Sequence, residues 1–128
     1  MKKRWTVDIV FPVYYDNIDI LEDSTVEVLK HVKKIQGPYS FKIIISINGP
    51  KPGKIIEKAK SICRNNNYVG HIYVKNQGKG YGVLKAWRNS SANILSYMDI
   101  DLSTSLKSFN TLIDEIRRGA DIAVGSRY

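Results

Sequence analysis

The sequence has one cysteine, two histidines and four prolines, and no apolar run long enough to cross a membrane. A single thiol, Cys63, cannot close an internal disulfide, which excludes a disulfide-stapled scaffold and suits a reducing compartment. His31 and His71 have no Cys, His, Asp or Glu at metal-ligand spacing, so a zinc site of the usual kind is excluded. No Ser-His-Asp or Cys-His arrangement is readable either, since Cys63 falls on an apolar helix face as a small core residue. The basic start Met1-Lys2-Lys3-Arg4 is signal-like, but Asp8, Pro12 and Asp16 interrupt the apolar stretch a signal peptide needs. A cytoplasmic domain is expected.

Acid is scarce where base is abundant. From Lys30 to Arg88 there are thirteen Lys or Arg and one acid, Glu57, whereas Asp8 to Glu27 holds six acids and no base. Within a formal net charge of +8, this segregation points to an anionic partner: phosphates of a small ligand, nucleic acid or an anionic membrane surface. Lysines that only solvate helix faces would give the same count. Aromatics do not interleave with the lysines and no RNA-recognition signature is present, so no nucleic-acid partner is expected. Trp5 and Trp87 read as packing residues.

What is present is one domain's worth of ordinary globular sequence, 128 residues with 43% hydrophobic and 25% charged. Apolar runs with the strand period alternate with runs at helical spacing. Strands are expected over 6–14, ending near Pro12, and over 41–47, 68–74, 94–98 and 121–125. Helices are expected over 18–35, from Ile55 to Cys63, after the glycines around Val83 to Trp87, and from Leu106 to Ile116 with Ser103 or Thr104 as cap. Strands alternating with helices imply an α/β fold whose parallel sheet is covered on both faces. Ligands of such sheets bind beyond the carboxyl ends of the strands.

Two such strand ends carry chemistry most clearly. Asp99-Ile100-Asp101 follows the fourth strand, and residues i and i+2 of a strand point the same way, so two carboxylates can converge on Mg²⁺ or Mn²⁺. One Asp capping the next helix is the plain alternative. Gly78-Lys79-Gly80-Tyr81-Gly82 follows the third strand and opens a helix, where backbone amides and Lys79 favour a diphosphate. It fails the Walker pattern because Gly80 follows Lys79. It misses the dinucleotide fingerprint by one residue at Gly82, yet Asp99 lies near that fingerprint's acidic position. A dinucleotide-dependent oxidoreductase domain is therefore a competing reading. Pro12 to Asn17 and Asn48-Gly49-Pro50 are weaker turn signals.

Taken in order, these turns resemble the N-terminal, nucleotide-sugar-binding half of family 2 glycosyltransferases with the GT-A fold, in particular the dolichyl-phosphate mannose or glucose synthases. The matching residues are Pro12-Val13-Tyr14-Tyr15-Asp16, Asn76-Gln77-Gly78-Lys79-Gly80, Asp99-Ile100-Asp101-Leu102-Ser103 and Gly125-Ser126-Arg127-Tyr128. The resemblance covers the whole chain as a single domain, 1–128, and implies a Rossmann-like three-layer α/β/α sandwich with a mostly parallel sheet of about five strands.

The resemblance also implies a GDP- or UDP-sugar donor, Mg²⁺ or Mn²⁺ as cofactor, and inverting transfer, with a polyprenyl phosphate as the acceptor at the cytoplasmic membrane face. It assigns the donor nucleotide to Pro12, Tyr14, Asp16, Asn48, Lys79, Asp99 and Arg127, and the metal to Asp99, Asp101 and Ser103. Where such relatives have Asp-Asp-Gly-Ser, this chain has Ile47-Asn48-Gly49-Pro50, which offers one neutral polar side chain in place of two acids. That departure leaves open a non-catalytic nucleotide-binding or regulatory module. Relatives also continue beyond the Gly-Ser-Arg-Tyr strand end into an acceptor-binding half, so these residues alone are expected to transfer little sugar. Homo-oligomers would cover the edges of such a half.

Overall fold

A computed structural model of the chain describes residues 4–35, 37–75, 78–103 and 106–121. The elements run in the order β1 (Trp5–Val13), α1 (Ile18–Lys33), β2 (Tyr39–Asn48), α2 (Ile55–Asn65), β3 (Val69–Val74), α3 (Lys79–Arg88), β4 (Ile94–Tyr97) and α4 (Leu106–Arg117), with a short 3-10 turn at Tyr15–Asn17 before α1. The four strands form one sheet in the order β3-β2-β1-β4, and every pairing is parallel. The fifth expected strand and Arg127 lie outside the described residues.

The pleat sorts side chains into two cores. Val7, Ile9, Phe11 and Val13 of β1 and Ile43, Ile45 and Ile47 of β2 are fully buried and pack with Leu21 and Val28 of α1, Ile55 and Ala59 of α2, and Phe109 and Ile113 of α4. Alternate strand residues Val10, Ile44 and Ile72 face the other way, against Val83, Ala86 and Trp87 of α3. Three helices therefore cover one face and α3 covers part of the other, giving the α/β/α layering. Each large aliphatic side chain buried in such a core contributes about 1.5–3 kcal/mol of transfer free energy.

Pro12 lies inside β1 rather than ending it, paired in register with Ser46 of β2. The reason is on the opposite side. Val10 directs its carbonyl toward β4, accepting the Met98 amide at 3.0 Å. Pro12, two residues on, faces the same side, where β4 has already ended at Tyr97. Its missing N–H falls where there is no ladder bond to lose.

Candidate functional site

The order β3-β2-β1-β4 means that the chain builds outward from β1 in one direction and then returns to place β4 on the other side. The strand order reverses between β1 and β4, and loops leaving such a switch point diverge and open a crevice. The structure has a cleft of about 320 Å³ there, lined by Pro12, Tyr14, Asn17 and Ile20 from the β1 end, Asp99, Ile100 and Asp101 from the β4 end, and Lys79 at the start of α3.

On the β1 side, the Tyr14 amide donates to Asn17 Oδ1 at 2.8 Å and the Asn17 amide to the Tyr14 carbonyl at 3.0 Å. This closes a local ring that fixes the entry to α1. On the β4 side, the strand stops at Tyr97, so Asp99 and Asp101 stand in a turn and not on the pleat. The turn closes when the Leu102 amide donates to the Asp99 carbonyl at 2.9 Å, with Leu102 in the left-handed region at φ 56°. That conformation is unfavourable for a residue with a Cβ, and Leu102 is held in it by packing against the main core. Ile100 is buried in the same core, and Asp99 and Asp101 on either side of it line the cleft. Asp101 Oδ1 also accepts the Ser103 amide at 3.0 Å, which orients its carboxylate.

Lys79 ties the third strand end to the fourth. Its Nζ forms a close ion pair with Asp99 Oδ1 and lies 5.3 Å from the centre of the Tyr97 ring. The Lys79 side chain is 43% exposed and that of Asp99 25%, so the pair is worth about 0–1 kcal/mol and is cheaply exchanged for another anion. Gly78 precedes Lys79 with φ 125°, a conformation open to glycine, and α3 starts directly behind it. The glycine-rich segment thus opens the helix whose N-terminal turn reaches this cleft.

Of the residues expected to hold a donor, Pro12, Tyr14, Lys79 and Asp99 line the cleft together with Asp101. Asp16 is exposed on the 3-10 turn and is not among the lining residues. Asn48 is buried, 2% exposed, with Nδ2 donating to the Ser46 carbonyl at 3.1 Å and its amide pressed against Gly82 of α3. Ser103 touches the site through its backbone. Asn17, part of the weaker Pro12 to Asn17 turn signal, also lines the cleft, as does Ile20, which was not singled out from sequence. Tyr97, beneath Lys79, was legible only as a strand residue.

The histidines serve structure. His31 Nε2 meets Asn110 Oδ1 at 2.8 Å, joining α1 to α4. His71 Nδ1 lies 3.5 Å from Cys63 Sγ. Burial pushes the Cys63 thiol above its usual value, opposed by the Lys42 charge, the reverse of what an activated thiolate requires. Among the described residues no group of three or more His, Cys, Asp or Glu converges on one point. Asp99 and Asp101 are the carboxylates that the cleft offers.

A family model described as Glycosyl transferase family 2 matches residues 8–128, nearly the whole chain. The chain belongs to glycosyl transferase family 2. It is 23% identical over 122 residues to a dolichol-phosphate mannosyltransferase of Pyrococcus furiosus, covering 95% of this chain and 33% of that protein. It is 25% identical over 125 residues to the glycosyltransferase AglD of Haloferax volcanii, covering 95% of this chain and 20% of that protein. The chain thus spans about a third of one relative and a fifth of the other. Membership in this family removes the dinucleotide-dependent oxidoreductase reading. No helix among the described residues is long and apolar enough to cross a membrane.

Proposed function

We propose that this chain is the donor-binding part of a glycosyltransferase that takes a nucleoside-diphosphate sugar, GDP- or UDP-linked, for inverting transfer to a polyprenyl phosphate. The observation that carries the reading is the meeting of Lys79, Asp99 and Asp101 in one cleft at the switch point of a family 2 chain.

The donor set suits Mg²⁺ or Mn²⁺. These ions take one or two protein carboxylates and complete their shell with phosphate oxygens and water, so two carboxylates without a third ligand cluster fit a substrate-completed site. Asp99 and Asp101 would hold the ion, while Ser103, assigned to the metal by resemblance, meets Asp101 through its backbone amide. Bound there, the ion supplies Lewis-acid stabilisation of the charge that develops on the departing diphosphate.

The rest of the work belongs to the chain. Lys79 exchanges its partner Asp99 for a phosphate oxygen at little cost, and the amides at the start of α3 favour the same negative charge. Arg127 is assigned to the diphosphate by resemblance and lies outside the described residues. Tyr14 and Asn17 border the space left for the rest of the donor. In the transfer itself, an acceptor oxygen forms a bond to the anomeric carbon from one face as the bond to the diphosphate breaks on the other. A phosphate oxygen that attacks as the anion has no proton to lose, so the step asks for no general base from these residues.

A module that binds nucleotide without transfer draws on a separate observation. Ile47 is fully buried and Asn48 2% exposed, so this strand end presents no polar side chain to the cleft. Calorimetric titration of GDP, UDP, GDP-mannose, UDP-glucose and NAD⁺, with Mn²⁺ or with EDTA, tests both readings. Metal-dependent binding of a nucleoside diphosphate supports the transferase reading, and metal-independent binding supports the module. No nucleotide binding by the folded chain overturns both.

A further inference from the structure

Among the described residues, the outer face of α3 is open to solvent. Val83 and Ala86 turn inward, while Tyr81 and Leu84 are 48% and 49% exposed on the opposite side, one turn apart. Beside them, β4 adds two more apolar side chains. Tyr97 pairs in register with Val10 and Leu95 with Asp8, and Val10 packs beneath α3, so Tyr97 and Leu95 project on the α3 side of the sheet. They are 49% and 41% exposed. Trp87 bridges helix and strand, its ring 6.1 Å from that of Tyr97 and its Nε1 donating to the Ser96 carbonyl at 3.1 Å. Four of the nine large hydrophobic side chains left exposed among the described residues therefore gather on this one side.

The exposed charge of α3 is basic, whereas Asp8, beside Leu95 on the same side of the sheet, is half-buried and accepts the Ser90 hydroxyl. Helix α3, KGYGVLKAWR, contains no acid. Lys85 and Arg88 are exposed and take part in no ion pair among the described residues. The acids of the N-terminal segment between Asp19 and Glu27 belong to α1, which covers the other face of the sheet. Tyrosine and tryptophan rings prefer the headgroup level of a bilayer, leucine its acyl boundary, and Lys or Arg the anionic headgroups.

We propose that the outer face of α3, with Tyr97 and Leu95 of β4, docks on an anionic lipid bilayer surface through Tyr81, Leu84, Lys85 and Arg88. An acidic protein would match the two cations, but it gives no reason for tyrosines flanking a leucine at the tip of a basic helix. The contact does not depend on the donor reading. Lys79 nevertheless belongs to both places, lining the cleft while its Nζ sits over the Tyr97 ring. Docking would therefore bring the cleft beside the headgroups, where a lipid-linked phosphate is found.

The test is co-sedimentation of the folded chain with phosphatidylcholine vesicles containing about one-third phosphatidylglycerol, and with phosphatidylcholine alone. Binding is expected with the anionic vesicles only. Reversing Lys85 and Arg88 to Glu should weaken partitioning by about fivefold or more per cation. Leu84→Asp should weaken it comparably while the Mn²⁺-dependent nucleotide titration stays unchanged. The double reversal Lys60→Glu with Arg64→Glu, on exposed positions of α2 across the sheet, makes the same change in net charge and should retain most of the binding. Equal losses from the α2 and α3 reversals would overturn the proposal in favour of unlocalised attraction by a basic chain. So would no vesicle binding at all, or capture by an acidic protein that Leu84→Asp leaves intact. Nucleotide titration separates these results from failure of the donor reading.

Discussion

The buried amide of Asn48 at the end of β2 lies so close to Gly82 of α3 that a Cβ on Gly82 would meet Asn48 Oδ1 at 2.3 Å and Nδ2 at 2.5 Å. Two residues earlier, Ser46 Oγ donates to the Gly82 carbonyl at 3.0 Å. Together these contacts seat the first turn of α3, and with it Lys79, on the sheet. Among the described residues Asn48 Oδ1 is buried without a hydrogen-bond partner, so shape rather than polarity defines this contact.

Gly82→Ala should therefore destabilise the fold, although alanine is the better helix former by about 1 kcal/mol. Overpacking against a buried amide costs about 1–3 kcal/mol and outweighs that gain. Urea denaturation should show the loss, and Asn48→Ala combined with Gly82→Ala should cost less than the two single changes added together. An additive double mutant would mean that the two positions do not share this contact.

Tyr39 carries the pH dependence. Its hydroxyl donates to Asp114 Oδ1 at 2.5 Å and accepts Arg117 Nε at 2.8 Å, joining the start of β2 to α4. Burial, aided by the bond to Asp114 and opposed by Arg117, raises its pKa above the ordinary 10.0. The native state then keeps its proton where the unfolded chain releases it, so this stabilisation is present below pH 10.0 and is lost as pH climbs through the raised native value. Thermal melts from pH 8 upward should show a steeper alkaline loss for the parent than for Tyr39→Phe. Parallel curves would contradict the assignment.

Cys63 should be a slow thiol. With its pKa raised by burial, its reaction with a disulfide reagent at pH 8 in the folded chain should be well below that of free cysteine, and unfolding in urea should restore it. A rate at or above that of the free amino acid would show an activated thiolate instead.

Most of the fold was legible because the strands are continuous β-branched runs such as Ile43 to Ile47 and the helices carry single apolar stripes. The site was legible for a different reason. In a parallel sheet the loops leaving the carboxyl ends gather, so Lys79, Asp99 and Asp101 could be named without knowing the strand order. What periodicity could not give was the turn at Asp99 to Leu102. There Asp99 and Asp101 are brought to the cleft by a turn with a left-handed Leu102 and not by the strand pleat. Nor could it show that Asn48 turns inward onto Gly82, because that depends on how closely α3 approaches β2. The missing Cβ at Gly82 was readable as a loop glycine and proves to be a packing glycine.

Lys79→Ala should weaken binding of a nucleoside diphosphate more than that of the free nucleoside, by about tenfold, since the ammonium addresses the phosphates. Competitive titration of GDP against guanosine, or UDP against uridine, separates the two. Equal losses for both ligands would place Lys79 in a structural role only.

The most direct measurement is the affinity of the parent chain and of Asp101→Ala for GDP and UDP, each with Mn²⁺ and with EDTA. Metal should tighten binding of the preferred nucleotide by at least tenfold in the parent, and Asp101→Ala should abolish that enhancement while leaving the metal-free affinity unchanged. An undiminished metal effect in Asp101→Ala would contradict the assignment of this cleft as a metal-assisted donor site.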